Sequence, residues 1–122
     1  MELTVEQALQ KGIEAHREGK VREADQAYTA ILKIQPNHPD ANHNLGVLCM
    51  SIENFDQALI FLERALDAKP TIKQFWLSYI NVLIKTKNFE KAKNILNQAE
   101  EKGFEIDGFE ELKEKKKIRK LT

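Results

Sequence analysis

The sequence predicts an all-α protein: an α-solenoid of three helix-turn-helix units followed by a C-terminal capping helix. Three observations carry that prediction. The 122-residue chain matches itself at an offset of 34 residues, the signature of a repeat architecture. Apolar residues recur at the spacing of a helix face, and no stretch sustains the alternation of a half-buried strand.

The offset holds residue by residue. Ala24, Ala58 and Ala92 fall in line, as do Val21, Phe55 and Phe89. Tyr28, Leu62 and Leu96 match in apolar bulk, and so do Ala27, Phe61 and Ile95. Gly12 aligns with Gly46, where Ile80 breaks the pattern; Pro36 aligns with Pro70, where Phe104 breaks it. The repeats are expected at about 5–38, 39–72 and 73–104, within a single domain spanning 1–122.

Each element has its own signals. The first helix, about 5–18, opens on the capping box Thr4-x-x-Gln7, in which two end N–H groups are satisfied reciprocally. Gly19-Lys20 closes it, and a second helix follows over about 21–34. Pro39 sits where a helix over 39–52 begins, a position at which its missing N–H costs nothing. There Ala41, Leu45, Leu48, Cys49 and Ile52 share a face. Glu53-Asn54 turns the chain into a helix over 55–68, with Phe55, Ala58, Leu62, Ala65 and Leu66 on its face. Thr71-x-x-Gln74 predicts a second capping box ahead of a helix over 72–86, and Lys87-Asn88 separates it from one over 89–102. At these turns Gly or Asn is expected to take the left-handed conformation that ends a helix. Asp107-x-x-Glu110 predicts the start of the capping helix, over about 108–119.

Composition excludes several classes. The 42% hydrophobic content suits a folded chain, and 19 basic against 19 acidic residues give no general pull toward nucleic acid or anionic membrane. No apolar run approaches the roughly 20 residues of a spanning helix, and the acidic, amphipathic start MELTVEQALQ is not a secretory signal. A lone cysteine, Cys49, forms no internal disulfide, so a reducing cytoplasm is expected.

Catalytic chemistry is not legible. The glycines are scattered, so no phosphate loop forms. His38 and His43 have only Asp40 as a nearby carboxylate, which serves the helix start better than a metal. Cys49 lies on an apolar face as a small packed hydrophobe. No catalytic residue, metal site or cofactor is expected, and the protein is not read as an enzyme.

The 34-residue helix-turn-helix unit, with a small residue early, Ala opening the second helix and a closing Pro, resembles the tetratricopeptide repeat (TPR) family. On that family's numbering the units begin at Val5, Pro39 and Lys73, and the resemblance covers residues 4 to about 103. Lys11 replaces an apolar residue that would pack on a preceding unit, and Phe104 replaces the closing Pro. Ile80, in place of Gly or Ala, is expected to push its helices apart unless Ala92 opposite makes room. Phe104, Ile106, Phe109 and Leu112 are expected to cover the end of the third unit.

The resemblance implies that the first helices line a concave groove. Its candidate residues here are Leu9, Gln10 and Ile13 in the first unit, His43, Asn44 and Val47 in the second, and Leu77, Ser78 and Asn81 in the third. Gln10, Asn44 and Ser78 make a polar stripe of one residue per unit. Such a groove is expected to take a peptide or helix of another protein, holding backbone amides while packing apolar side chains. Chaperone-docking TPR domains clamp a carboxylate; at those positions stand Leu9, Ile13, Asn44, Gln74 and Ser78, and only Asn44 matches. PNHPDANHNLGVL and QFWLSYINVLIK are similar to TPR arms of bacterial glycosyltransferases and sulfotransferases. The related O-linked N-acetylglucosamine transferase binds substrate backbones through such asparagines. No transferase domain follows Thr122, so this implies a substrate-recruiting arm as the alternative reading. A lesser alternative is anionic contact through the basic stretch 113–120, read more simply as a solvated helix end. The nearly all-round apolar helix of the third unit, with Leu77 and Ile84, also suggests a homo-oligomer through the groove or an end.

Overall fold

Six helices form where local signals and apolar spacing agree. In a computed structural model, which describes residues 3–110, 112 and 113, they are α1 (Val5–Arg17), α2 (Val21–Ile34), α3 (Pro39–Ser51), α4 (Phe55–Ala68), α5 (Lys73–Lys85) and α6 (Phe89–Glu101). Every boundary lies within a residue of its expected place, which is the scatter of helix ends themselves. Among the described residues there is no strand.

The starts differ in chemistry. At α1 the box closes: Gln7 N–H donates to Thr4 Oγ1 at 3.1 Å, and Thr4 N–H donates to Gln7 Oε1 at 2.9 Å. Pro39 takes the first turn of α3, and His38 caps it, its Nδ1 accepting from Ala41 N–H at 3.0 Å. The box expected at Thr71 does not form. Ile72 stands at the N-cap without a side-chain bond, and the Gln74 amide instead donates to Ser78 Oγ at 3.3 Å.

The turns also depart from expectation. Gly19 is left-handed (φ 76°), but in the next two units Glu53 (φ 61°) and Lys87 (φ 62°) carry that conformation. Asn54 and Asn88 have φ near −87° and −88° and serve as N-caps of the helices that follow.

Helices within a unit pack through one small residue. A Cβ on Gly12 would stand 2.5 Å from the Tyr28 ring, and one on Gly46 would stand 2.6 Å from the Leu62 side chain. The repeat register therefore sets Ile80 against Leu96, not Ala92. The wedge acts as expected: α5 and α6 approach less closely than α1 and α2 or α3 and α4. One buried cluster runs from Ala15 through Leu48, Leu62 and Ile80 to Leu112. The array is thus fastened by a continuous core between neighbouring units.

Two further bonds, one each, fasten the second and third units to the preceding closing proline. Asn42 Nδ2 donates to the Pro36 carbonyl at 3.0 Å, and Trp76 Nε1, at the equivalent position, donates to the Pro70 carbonyl at 2.9 Å. Asn42 is fully buried and also donates to the His38 carbonyl at 2.9 Å.

After α6 the chain crosses the open end of the third unit. Ile106 and Leu112 are buried, Phe104 and Phe109 pack on the core, and the Phe104 ring lies 6.1 Å from Trp76. Lys113 Nζ donates to the Ile106 carbonyl at 2.6 Å. The end is covered as expected, but no helix begins at 108, because Gly108 (φ 91°) and Phe109 (φ 56°) are both left-handed. Residues 110, 112 and 113 are helical; the remainder of the expected capping helix, and nearly all of the basic stretch 113–120, lie outside the described residues.

Candidate functional site

The curvature of the array follows from which helices meet. Between like helices of neighbouring units, α1 approaches α3 and α3 approaches α5, while the second helices do not meet. The first helices therefore line the inner, concave side. Between α1 and α3 lies a pocket of about 350 Å³ lined by Ile13, His16, Arg17, Tyr28, His43, Asn44 and Val47.

A relay of hydrogen bonds runs through this pocket. Gln74 donates to Ser78 Oγ, and Ser78 Oγ lies 2.7 Å from His43 Nε2. His43 Nδ1 lies 3.4 Å from Asn44 Oδ1, and the Tyr28 hydroxyl shares the pocket with the Asn44 amide. A proton on His43 Nδ1 satisfies the relay: Nδ1–H donates to Asn44, and Nε2 accepts from the Ser78 hydroxyl. The His43 ring also stacks on Phe75 with centroids 4.7 Å apart. Side chains of all three units are joined in one chain of contacts. Burial holds the His43 imidazole below its usual value, against the Asn44 bond and the charge of Asp40, which favour the cation. Burial pushes the Tyr28 phenol up, with Asn44 opposing it.

The structure brings four of the nine candidate residues, Ile13, His43, Asn44 and Val47, into this one pocket. Leu9 is half-buried and packs against the core, and Gln10 is exposed at the first unit. Leu77 is half-buried and Asn81 exposed beyond the pocket. Ser78 does not complete a free polar stripe: it is only 6% exposed and its hydroxyl is committed to His43 and Gln74. Nor does α5 offer an apolar outer face. Phe75, Trp76, Tyr79, Ile80, Val82 and Leu83 are buried, because this helix lies between α3, α4, α6 and the closing segment. Arg17, the last residue of α1, lies outside the positions read as groove-lining, and Tyr28 is missed by reading the first helices alone. Tyr28 belongs to a second helix, and the only signal for it was its greater bulk and hydroxyl among the aligned leucines.

Among the described residues no group of three or more His, Cys, Asp or Glu is placed to hold a metal ion. Cys49 is buried and its thiol is pushed up by burial, the condition of a packed hydrophobe rather than a nucleophile. Among the described residues no helix is long and apolar enough to cross a membrane.

Stacked helix pairs around a groove define the class as a helical-repeat fold. The tetratricopeptide repeat model matches residues 15–74 and 53–105, more than half of the chain. The chain belongs to the tetratricopeptide repeat family, whose repeats are in general protein-interaction modules. The curated proteins contain no match to it. Among solved structures it is similar to a mutant of the Thermobaculum terrenum O-GlcNAc transferase, with a TM-score of 0.72 and 29% identity over 80% of this chain. The chain spans only 19% of that transferase. It is similar to the TPR2B domain of yeast Sti1, solved in a pHsp70 complex, with a TM-score of 0.72 and 21% identity. That match covers 78% of this chain and 76% of the domain. MamA from Desulfovibrio magneticus RS-1 matches with a TM-score of 0.70 and 24% identity, over 79% of this chain and 54% of its own.

Proposed function

We propose that this protein is a non-catalytic scaffold that binds an extended peptide or helix of a partner protein in its concave groove. The pocket between α1 and α3 carries the reading. It sets the apolar Ile13 and Val47 beside the polar Asn44, Tyr28 and His43. Apolar walls with a few fixed polar groups suit a peptide whose side chain packs while its backbone is held. Asn81, exposed one unit further along, extends the contact. The lone buried Cys49 fits a cytoplasmic setting for this binding. The test is a peptide selected on the immobilised protein, its affinity measured against Asn44→Ala, Asn81→Ala and Val47→Glu variants. Val47→Glu is expected to abolish binding and Asn44→Ala to weaken it about tenfold or more, the scale of one lost hydrogen bond to a buried partner. Unchanged affinity in Val47→Glu places the ligand elsewhere.

The likeness to the O-GlcNAc transferase, 29% identical over its repeat region, favours a second reading. In it the groove recruits protein substrates to a glycosyltransferase encoded beside this chain or joined to it. Copurification with a co-encoded transferase supports this; a gene neighbourhood free of such enzymes across genomes removes it.

A further inference from the structure

We propose that the open face of the first unit, where Leu3 and Ile34 border a cleft floored by Ala8, Ala27 and Ala30, is the interface of a two-fold symmetric homodimer.

The two ends of the array are finished differently. The third unit is closed by the chain's own Ile106 and Leu112, both buried. In the second and third units the first helix lies under the second helix of the unit before it, as α2 covers α3 and α4 covers α5. Nothing among the described residues covers α1 and α2 in that way. Ile34 is 73% exposed and Leu3 is 53% exposed, beside a cleft of about 670 Å³ that is also lined by Val5 and Ile31. A repeat array needs polar end faces to stay dispersed, and exposed apolar patches of this kind mark contact surfaces.

The occupant is read from self-complementarity. Repeat equivalents of the three alanines are larger: Asn42 and Trp76 for Ala8, Phe61 and Ile95 for Ala27, Arg64 and Gln98 for Ala30. The missing bulk makes a hollow, and the protruding Leu3 and Ile34 beside it are of the size to fill one. Hollow and projection share one face, which is what an isologous contact requires. Charge agrees. Among the described residues lining the cleft there is one cation, Lys11, where the other units bury Leu45 and Tyr79, and one anion, Glu23. A two-fold axis sets Lys11 of one copy toward Glu23 of the other, twice. An isologous contact uses the open face of both copies at once, so assembly closes at two copies.

Light scattering of the full chain from low micromolar to near-millimolar concentration tests this. The expected mass rises from the monomer's 14.1 kDa to twice that value and stops there. Ile34→Glu is expected to leave a monomer with an unchanged helical circular dichroism spectrum. Lys11→Glu and Glu23→Lys, each alone, are expected to weaken the dimer about tenfold or more by setting like charges together. Mixing those two variants restores a dimer, because both pairs are then opposite in sign. A monomer at every concentration overturns the proposal, leaving a helix of another protein as the face's occupant. So does a dimer that persists in Ile34→Glu, or a mixture that stays monomeric, or growth beyond two copies. Val47→Glu, remote from this face in the groove, leaves the dimer intact, so loss of the peptide reading and loss of this one are separate results.

Discussion

Three turns in this chain do the same work with different residues. In each, two backbone N–H groups reach back to helix-end carbonyls: Gly19 to His16 and Lys20 to Ala15, Glu53 to Met50 and Asn54 to Cys49, Lys87 to Ile84 and Asn88 to Leu83. This closing pattern needs one left-handed residue. Glycine adopts it freely, whereas a Cβ there costs roughly 1–2 kcal/mol. A Cβ at Gly19 would meet nothing within 4 Å, so its effect is backbone strain alone. Gly19→Ala is therefore expected to cost about 1 kcal/mol. Glu53→Gly and Lys87→Gly are expected to stabilise by a few tenths to about 1 kcal/mol, the relief being partly offset by the freer unfolded chain. Urea denaturation of the single variants and of the Glu53→Gly/Lys87→Gly pair checks this. The two gains should add because the sites stand a full repeat apart. A loss of stability in Lys87→Gly refutes the account. Asn54 and Asn88 showed why the sequence misleads here: asparagine suits both the left-handed position and the helix N-cap, and only the turn's hydrogen bonds decide between them.

Helix pairing turns on the eighth position of each unit, and the reason alanine is costly there depends on the unit. In α3, Gly46→Ala would set a Cβ 2.6 Å from Leu62 Cδ2 and 3.3 Å from the Leu62 backbone nitrogen. Separating helices against a continuous core is expected to cost about 1–3 kcal/mol. In α5 the same position holds a fully buried isoleucine, and Ile80→Ala is expected to cost about 2–5 kcal/mol through the cavity it opens. Thermal and chemical denaturation of both variants measures it; equal tolerance of alanine at the two positions would falsify the wedge. Helix positions were legible at this scale because periodicity is local. What was illegible came from competition. Thr71 and Gln74 have the right spacing for a capping box, yet Ser78 lies one turn beyond Gln74 and takes its amide. Likewise Asn42 and Trp76 share no chemistry that an alignment would flag, though each donates to the carbonyl of the preceding closing proline.

At the scale of the whole array, the resemblance to tetratricopeptide repeats named the first helices as the groove lining, and the structure brings Ile13, His43, Asn44 and Val47 of that set to one pocket. The resemblance could not show that His43 and Ser78, 35 residues apart, meet at 2.7 Å, or that Tyr28 reaches the same site from a second helix. Those contacts depend on the angle between units, which no single repeat encodes. They also make the array's stability depend on pH. His43 is held neutral by its burial beneath neighbouring units, where Ser78 and Gln74 from α5, Asn44 and Asp40 from α3, Tyr28 from α2 and His16 and Arg17 from α1 surround it. In the unfolded chain the same imidazole titrates near its ordinary 6.5. As pH falls through that value the unfolded chain takes up the proton first, so the equilibrium moves toward unfolding. The contribution is whole above about 6.5 and is lost progressively below it, toward the lowered folded value. Protonation also turns Nε2 from acceptor to donor, so the bond that ties the second unit to the third must reverse, the Ser78 hydroxyl rotating to accept from both His43 and Gln74. Wild-type protein is expected to lose melting temperature between pH 7.5 and pH 5, while His43→Gln, whose amide does not titrate, starts lower and loses less over the same interval. Carboxylates titrate mostly below that window, so a difference confined to the region under pH 6.5 belongs to the histidine. Parallel pH profiles for the two proteins would show that His43 is not the group linking the units to pH.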